Sequence, residues 1–244
     1  MPQCYYDFHI YAENYGLSQI ASKLIKDMRT LNLNVYPPNN LNIVREFGKK
    51  MGRGEYRPQT NTIVLFDNKW CRKTLVHELF HAMSSFTRIS DLYEIAFRER
   101  FFIEGLTEFF TGYLLYWKYK NCYNQWIKCE YSVCTISYTK YIRLFGAAAQ
   151  ILIPIMKLAE IYIYNPKDNW YNKYDEFLRK YDLKDFLIIK PRGKRKIPSF
   201  TLFKDMMERV ILKRFNKKRV KEFKDLLYKA PLYIVLDYSN MKKL

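Results

Sequence analysis

The chain has 244 residues, 49% of them hydrophobic, with only 8 Gly and 9 Pro; that is enough apolar material for a good-sized core, and it excludes low-complexity and collagen-like character. Lys and Arg number 42 against 24 Asp and Glu, a net charge of +18, which excludes an acidic solvating protein and points to an anionic partner or a heavily solvated basic surface. The first residues, MPQCYYDFHIYAEN, show no basic region leading into an apolar run, and the five Cys at 4, 71, 122, 129 and 134 form no CxxC pair, so the expected setting is intracellular: cytoplasmic, nuclear or within a virion.

In chain order, Ser18 is placed to cap a first helix whose apolar positions Ile20, Leu24, Met28 and Leu31 keep the 3.6-residue period. Short strands are predicted for NIVREF at 42–47 and NTIVLF at 61–66, with a glycine bend at Gly52 and Gly54 between them. The second strand leads directly into LVHELFHAM, where His77, Glu78 and His81 stand in the order His-Glu-x-x-His. Residues four apart share one face of a helix, so the two imidazoles can grip a single metal ion while Glu78 leans toward its open side. Leu75, Val76, Leu79, Phe80, Ala82 and Met83 leave this helix apolar nearly all round. Burial makes a purely structural role for both His and Glu78 hard to sustain, since each would need a polar partner.

A catalytic zinc takes three protein ligands and keeps a position for water. The remaining His, His9, is far upstream, so the third ligand is expected from Asp91, Glu94, Glu99, Glu104 or Glu108, with Glu104 best placed. A second long helix is predicted over 93–119, rich in Phe and Leu and interrupted by Glu104 and Glu108. These two are one turn apart and share a face, so one can bind the ion while the other orients a metal-bound imidazole. Gly105, poor for a helix interior, is expected where another backbone comes close.

HELFH followed by EGLTEFF resembles the gluzincin group of zinc metallopeptidases over about residues 52–118. In that group the HExxH helix supplies two ligands, a glutamate on a following helix supplies the third, and thermolysin-like members carry an acidic residue four positions later. The resemblance implies that His77, His81 and Glu104 hold one zinc ion, that Glu78 is the general base, and that Glu108 supports His77 or His81. It also implies an oxyanion donor; with no His left downstream, Tyr138 is the choice and Tyr141 the runner-up. The strand bordering the cleft in such folds receives an extended substrate, a part expected of 57–66 or its neighbour.

Beyond Glu108 the chain reads as helical: 138–164 with a break near Pro154, then 170–186, then 200–215, with YKAPLYIVLDYSN closing the fold as a strand or capped turn. The stretch 145–164 is interrupted by Gln150, Pro154, Lys157 and Glu160, so no membrane span is expected. Cys122, Cys129 and Cys134 lack the paired spacing of a second metal cluster and read as buried thiols. Residues 190–224 hold fourteen Lys or Arg against three Asp or Glu. The densest part, Lys190, Arg192, Lys194, Arg195 and Lys196, in a stretch that also holds Pro191 and Pro198, reads as an exposed loop able to meet phosphates or an anionic surface. The expected architecture is α+β and zincin-like, a small mixed sheet on the metal helix with a larger helical lobe: a catalytic domain over 1–189, the basic loop 190–198, and 199–244 as a basic subdomain or an extension of the same core. The expected function is zinc-dependent peptidase action on a peptide or protein; the alternative is a basic protein binding nucleic acid or an anionic surface, with an inactive or structural metal site.

Overall fold

The computed structural model describes residues 16–47, 53–66, 72–88, 100–124, 139–183 and 200–237. The fold is mixed α+β, mostly helical, with one small three-stranded mixed sheet. Helix α1 (Leu17–Thr30) buries Ile20, Leu24 and Met28 on one face, as the period requires. Its cap is Gly16, at φ +75°, not Ser18, which falls in the first turn and accepts a hydrogen bond from Ser22 Oγ on its carbonyl. The positive φ is what a glycine permits there, and it lets the chain enter the helix before the serine.

Strands β1 (Asn42–Glu46), β2 (Gly54–Arg57) and β3 (Thr62–Phe66) lie in the order β1-β3-β2, β3 parallel to β1 and antiparallel to β2. The central strand buries Ile63, Val64, Leu65 and Phe66 consecutively, which is why its sequence is continuously apolar instead of alternating. Gly54, read from the sequence as part of a bend, instead begins β2 opposite Leu65. A Cβ at that position would come within 2.9 Å of Thr74 Cγ2 and 3.1 Å of the Val64 carbonyl oxygen. The glycine therefore serves close packing of strand on helix.

Helix α2 (Arg72–Met83) carries the HELFH run and packs between β2 and β3 on one side and α4 (Arg100–Lys118) on the other, with α1 against it as well. Short α3 (Ser85–Arg88) follows α2. The described part of the second long helix starts at Arg100, and the acidic candidates Asp91, Glu94 and Glu99 lie outside the described residues. Helices α5 (Thr139–Ile151) and α6 (Ile155–Tyr162) are separated at Pro154, which caps α6. The break falls where proline removes a backbone donor. Helix α7 (Trp170–Lys180) starts at Asn169, whose side chain accepts from the Asn172 amide. Helices α8 (Phe200–Arg214) and α9 (Lys217–Tyr228) pack against α5 and each other. The last element among the described residues is a helix, α10 (Leu232–Leu236), in place of the strand or capped turn anticipated: entered through Pro231, it buries Leu232, Val235 and Leu236 at helical spacing.

Buried side chains of α1, β3, α2, α4 to α9 and α10 join one apolar cluster, with Phe80, Phe109, Phe110, Phe145, Tyr162, Phe203 and Phe223 among its largest members. Among the described residues no helix is long and apolar enough to cross a membrane. Cys122 is buried; the other Cys residues and the basic loop 190–198 lie outside the described residues. Gly105 is explained by a side chain and not by the backbone anticipated: a Cβ there would stand 2.5 Å from Cε2 of the buried Phe145 ring, which brings α5 close against α4. Gly105→Ala gains about 1 kcal/mol of helix propensity, but overpacking a core typically costs about 1–3 kcal/mol. We expect urea unfolding to show a net loss of about 1 kcal/mol that Phe145→Leu in the same chain restores; an unchanged midpoint for the single variant would contradict this packing.

Candidate metal site

Helical spacing puts Lys73, His77 and His81 in one row on α2, and Glu104, Thr107 and Glu108 on the facing side of α4. Across that seam His77 Nε2 and His81 Nε2 approach to 3.1 Å, and Glu104 Oε2 stands 3.5 Å from each of them. The two imidazole planes are 74° apart, so the rings converge on a point and do not stack. One ligand atom from each of His77, His81 and Glu104 lies within 4.8 Å of the others, and this group could hold a metal ion. Glu104 is the most open of the three, its side chain 23% exposed against 13% and 12% for the imidazoles.

The outer ring nitrogens are fixed by different chemistry. His77 Nδ1 is 2.8 Å from Glu108 Oε2 and donates its proton to that carboxylate, which leaves Nε2 facing the centre. Glu108 is fully buried, and its other oxygen is 2.7 Å from Lys73 Nζ. His81 Nδ1 is 3.4 Å from Thr107 Oγ1, which in turn bonds the Tyr162 hydroxyl inside the core. Glu78, on the same helix, is 6% exposed, and its Cγ would lie 3.3 Å from a Cβ at Gly54.

Charge in this small volume is strongly coupled. Burial pulls the His77 imidazole down, but hydrogen bonds to Glu104 and Glu108 outweigh it and carry the pKa up to about 10. Burial pushes Glu108 up, yet the Lys73 ammonium and His77 hold it at about 2. Glu104 meets the same desolvation, and His81 and His77 keep it well below the usual carboxylate range. Glu78 goes the other way: burial raises it more than the two imidazoles lower it. In the metal-free protein the seam is thus an imidazolium among carboxylates, and a bound cation would take the place of a proton.

Of the residues expected from the sequence, the structure groups His77, His81 and Glu104, sets Glu108 on His77, and buries Glu78 on the same helix toward Gly54. Sequence reasoning missed Lys73, although its position one turn before His77 was a readable signal. It also missed Thr107, a buried hydroxyl among aromatics, and Tyr162, whose place at the site depends on how α6 packs. Tyr138 and the cations Lys190, Arg192, Lys194, Arg195 and Lys196 lie outside the described residues. Tyr141 is half-buried on α5, with Lys140 Nζ 5.2 Å from its ring centroid. No family model matches the chain, and neither the curated proteins nor the solved structures compared with it give a match.

Glu108, ordinarily at 4.5 and here at about 2, contributes stability that is full above pH 4.5 and lost as pH falls toward 2. His77, ordinarily at 6.5 and here at about 10, contributes in the metal-free protein stability that is full below pH 6.5 and lost as pH rises through 10. Thermal unfolding of metal-free protein should therefore be highest between pH 4.5 and 6.5 as far as these two groups set it. Glu108→Gln should flatten the acid limb and weaken metal binding by about 10- to 100-fold. An acid limb identical to that of the wild type would contradict this assignment.

Proposed function

We propose that the chain is a zinc-dependent peptidase of gluzincin type, with a zincin-like fold. The observation that carries this reading is the spacing of the three donor atoms, 3.1, 3.5 and 3.5 Å. Ligands at about 2.0–2.1 Å around a tetrahedral ion stand about 3.3 Å apart along each edge, so these donors already span one face of a zinc tetrahedron. Two imidazoles and a carboxylate, with no fourth protein ligand among the described residues, are the donor set of a catalytic zinc; structural sites fill all four corners with Cys and His.

Zinc bound there supplies a Lewis acid that lowers the pKa of water to roughly 7 and polarises the scissile carbonyl. Glu78 takes a proton from the attacking water and returns it to the leaving amine. Its raised pKa suits both halves of that task, because a carboxyl pushed up by burial holds and releases a proton closer to neutrality. Glu108, with Lys73 behind it, keeps His77 in the tautomer that presents Nε2; Thr107 and Tyr162 orient His81.

The peptide is assigned to β2. Among the described residues β3 is flanked on both sides and β1 and β2 are the edges; β2 is favoured for an extended substrate because at Gly54 it packs beside Glu78. Tyr138, next in sequence to the start of α5, is assigned to oxyanion stabilisation.

Glu78→Gln should retain one equivalent of zinc and lose about 10²- to 10⁴-fold in cleavage of a mixed peptide library, while His81→Ala should lose both metal and cleavage. A strong chelator should abolish wild-type cleavage, and added zinc should restore it. Cleavage by Glu78→Gln at the wild-type rate would overturn the mechanism.

A further inference from the structure

The positive charge of the chain has a focus away from the metal site. Residues 209–221 contain seven Lys or Arg and no Asp or Glu. They form the corner where α8 turns into α9. The corner is well defined: the Phe215 amide donates to the Ile211 carbonyl at 2.9 Å, and Asn216 caps α9 by accepting from the Arg219 amide at 3.1 Å. Val210, Ile211 and Phe223 hold its inner side in the core.

On the outer side, residues 212–218 are exposed without interruption. Two of them are large and apolar, Leu212 at 49% and Phe215 at 44% exposure. They stand three apart at the end of α8 and so share a face. Cations surround them. Lys213 pairs with Asp182 at 2.6 Å, and Arg214 donates to the Lys180 carbonyl, which fastens the corner to the end of α7. Arg219 pairs with Glu222, whereas Lys217 and Lys218 have no carboxylate partner among the described residues. Three cations in the first turn of α9 also sit at the positive end of its dipole, a placement that costs the helix stability. Folding does not account for them, nor for two apolar side chains held in water between them.

Both features fit one occupant. At a bilayer interface, Leu and Phe enter the boundary of headgroups and acyl chains while Lys and Arg stay with the phosphates. A nucleic acid would satisfy the cations and could stack a base on Phe215, but it would leave the aliphatic Leu212, 49% exposed, in water, whereas an acyl-chain boundary covers both side chains. We propose that the α8–α9 corner is a docking surface for anionic phospholipid membranes, one that places the protein on the bilayer without crossing it. Two apolar side chains alone give weak attachment, so binding requires the charge of the lipid. The proposal is independent of the metal site and survives if the peptidase reading fails.

The test is co-sedimentation of the full chain with phosphatidylcholine vesicles, with and without roughly 30% phosphatidylserine. Binding is expected only to the anionic vesicles and should weaken as salt is raised. Lys217→Ala with Lys218→Ala should lower the partition coefficient by about tenfold or more. Leu212→Ser with Phe215→Ser should lower it too, with circular dichroism unchanged because the residues are exposed. Phe215→Trp should show blue-shifted emission on anionic vesicles. Three results would overturn the proposal: no binding to anionic vesicles, binding that both double variants leave intact, or a corner that instead binds a single-stranded oligonucleotide or a second copy of the chain while ignoring the vesicles.

Discussion

A carboxylate with no access to water holds the two central helices in register. Glu108 keeps its charge in the core only because α2 presents Lys73 to one oxygen and His77 to the other, two groups one helical turn apart. Removing one partner from a buried pair typically costs about 3–5 kcal/mol, so sliding or rotating α2 against α4 is heavily penalised. That register brings Glu104, one turn earlier on α4, to equal distances from two Nε2 atoms. The far side of α2 packs on β2 and β3, where Gly54 lets the sheet come close enough to bury Glu78.

The two imidazoles are oriented by different means, with a physical consequence. His77 leans on a carboxylate, which raises its basicity and strengthens it as a ligand; His81 faces a neutral hydroxyl backed by another from α6. A second buried carboxylate behind His81 would have required a further cation in a volume that already holds Glu78, Glu104 and Glu108. The hydroxyls of Thr107 and Tyr162 provide orientation without adding charge.

Much of the site was legible because it is local. His77 to His81 and Glu104 to Glu108 are each one helical turn, and an apolar helix interrupted by acids can be recognised without knowledge of the fold. The partners that arrive from elsewhere were not legible. Tyr162 reaches the site only through the packing of α6, and Phe145, which explains Gly105, is a neighbour forty residues away in the chain. Gly54 has the composition of a turn but lies in a strand, because its reason is the nearness of α2. The final helix was misread for a related cause: in PLYIVL, β-branched and aromatic residues favour a strand, yet the burial of Leu232, Val235 and Leu236 against α5 decides for a helix. The excess of basic residues was obvious in the sequence, but the outward pairing of Leu212 with Phe215 needed the fold.

The central claim, that two imidazoles and one carboxylate from adjacent helices enclose a single ion with an open corner, is tested most directly by X-ray absorption at the zinc edge of the loaded protein. The account predicts four nitrogen or oxygen neighbours at about 2.0–2.1 Å, with the multiple scattering of two imidazole rings and no sulfur, and the loss of one oxygen neighbour in Glu104→Ala. A sulfur neighbour, a single imidazole, or a spectrum that Glu104→Ala leaves unchanged would contradict it.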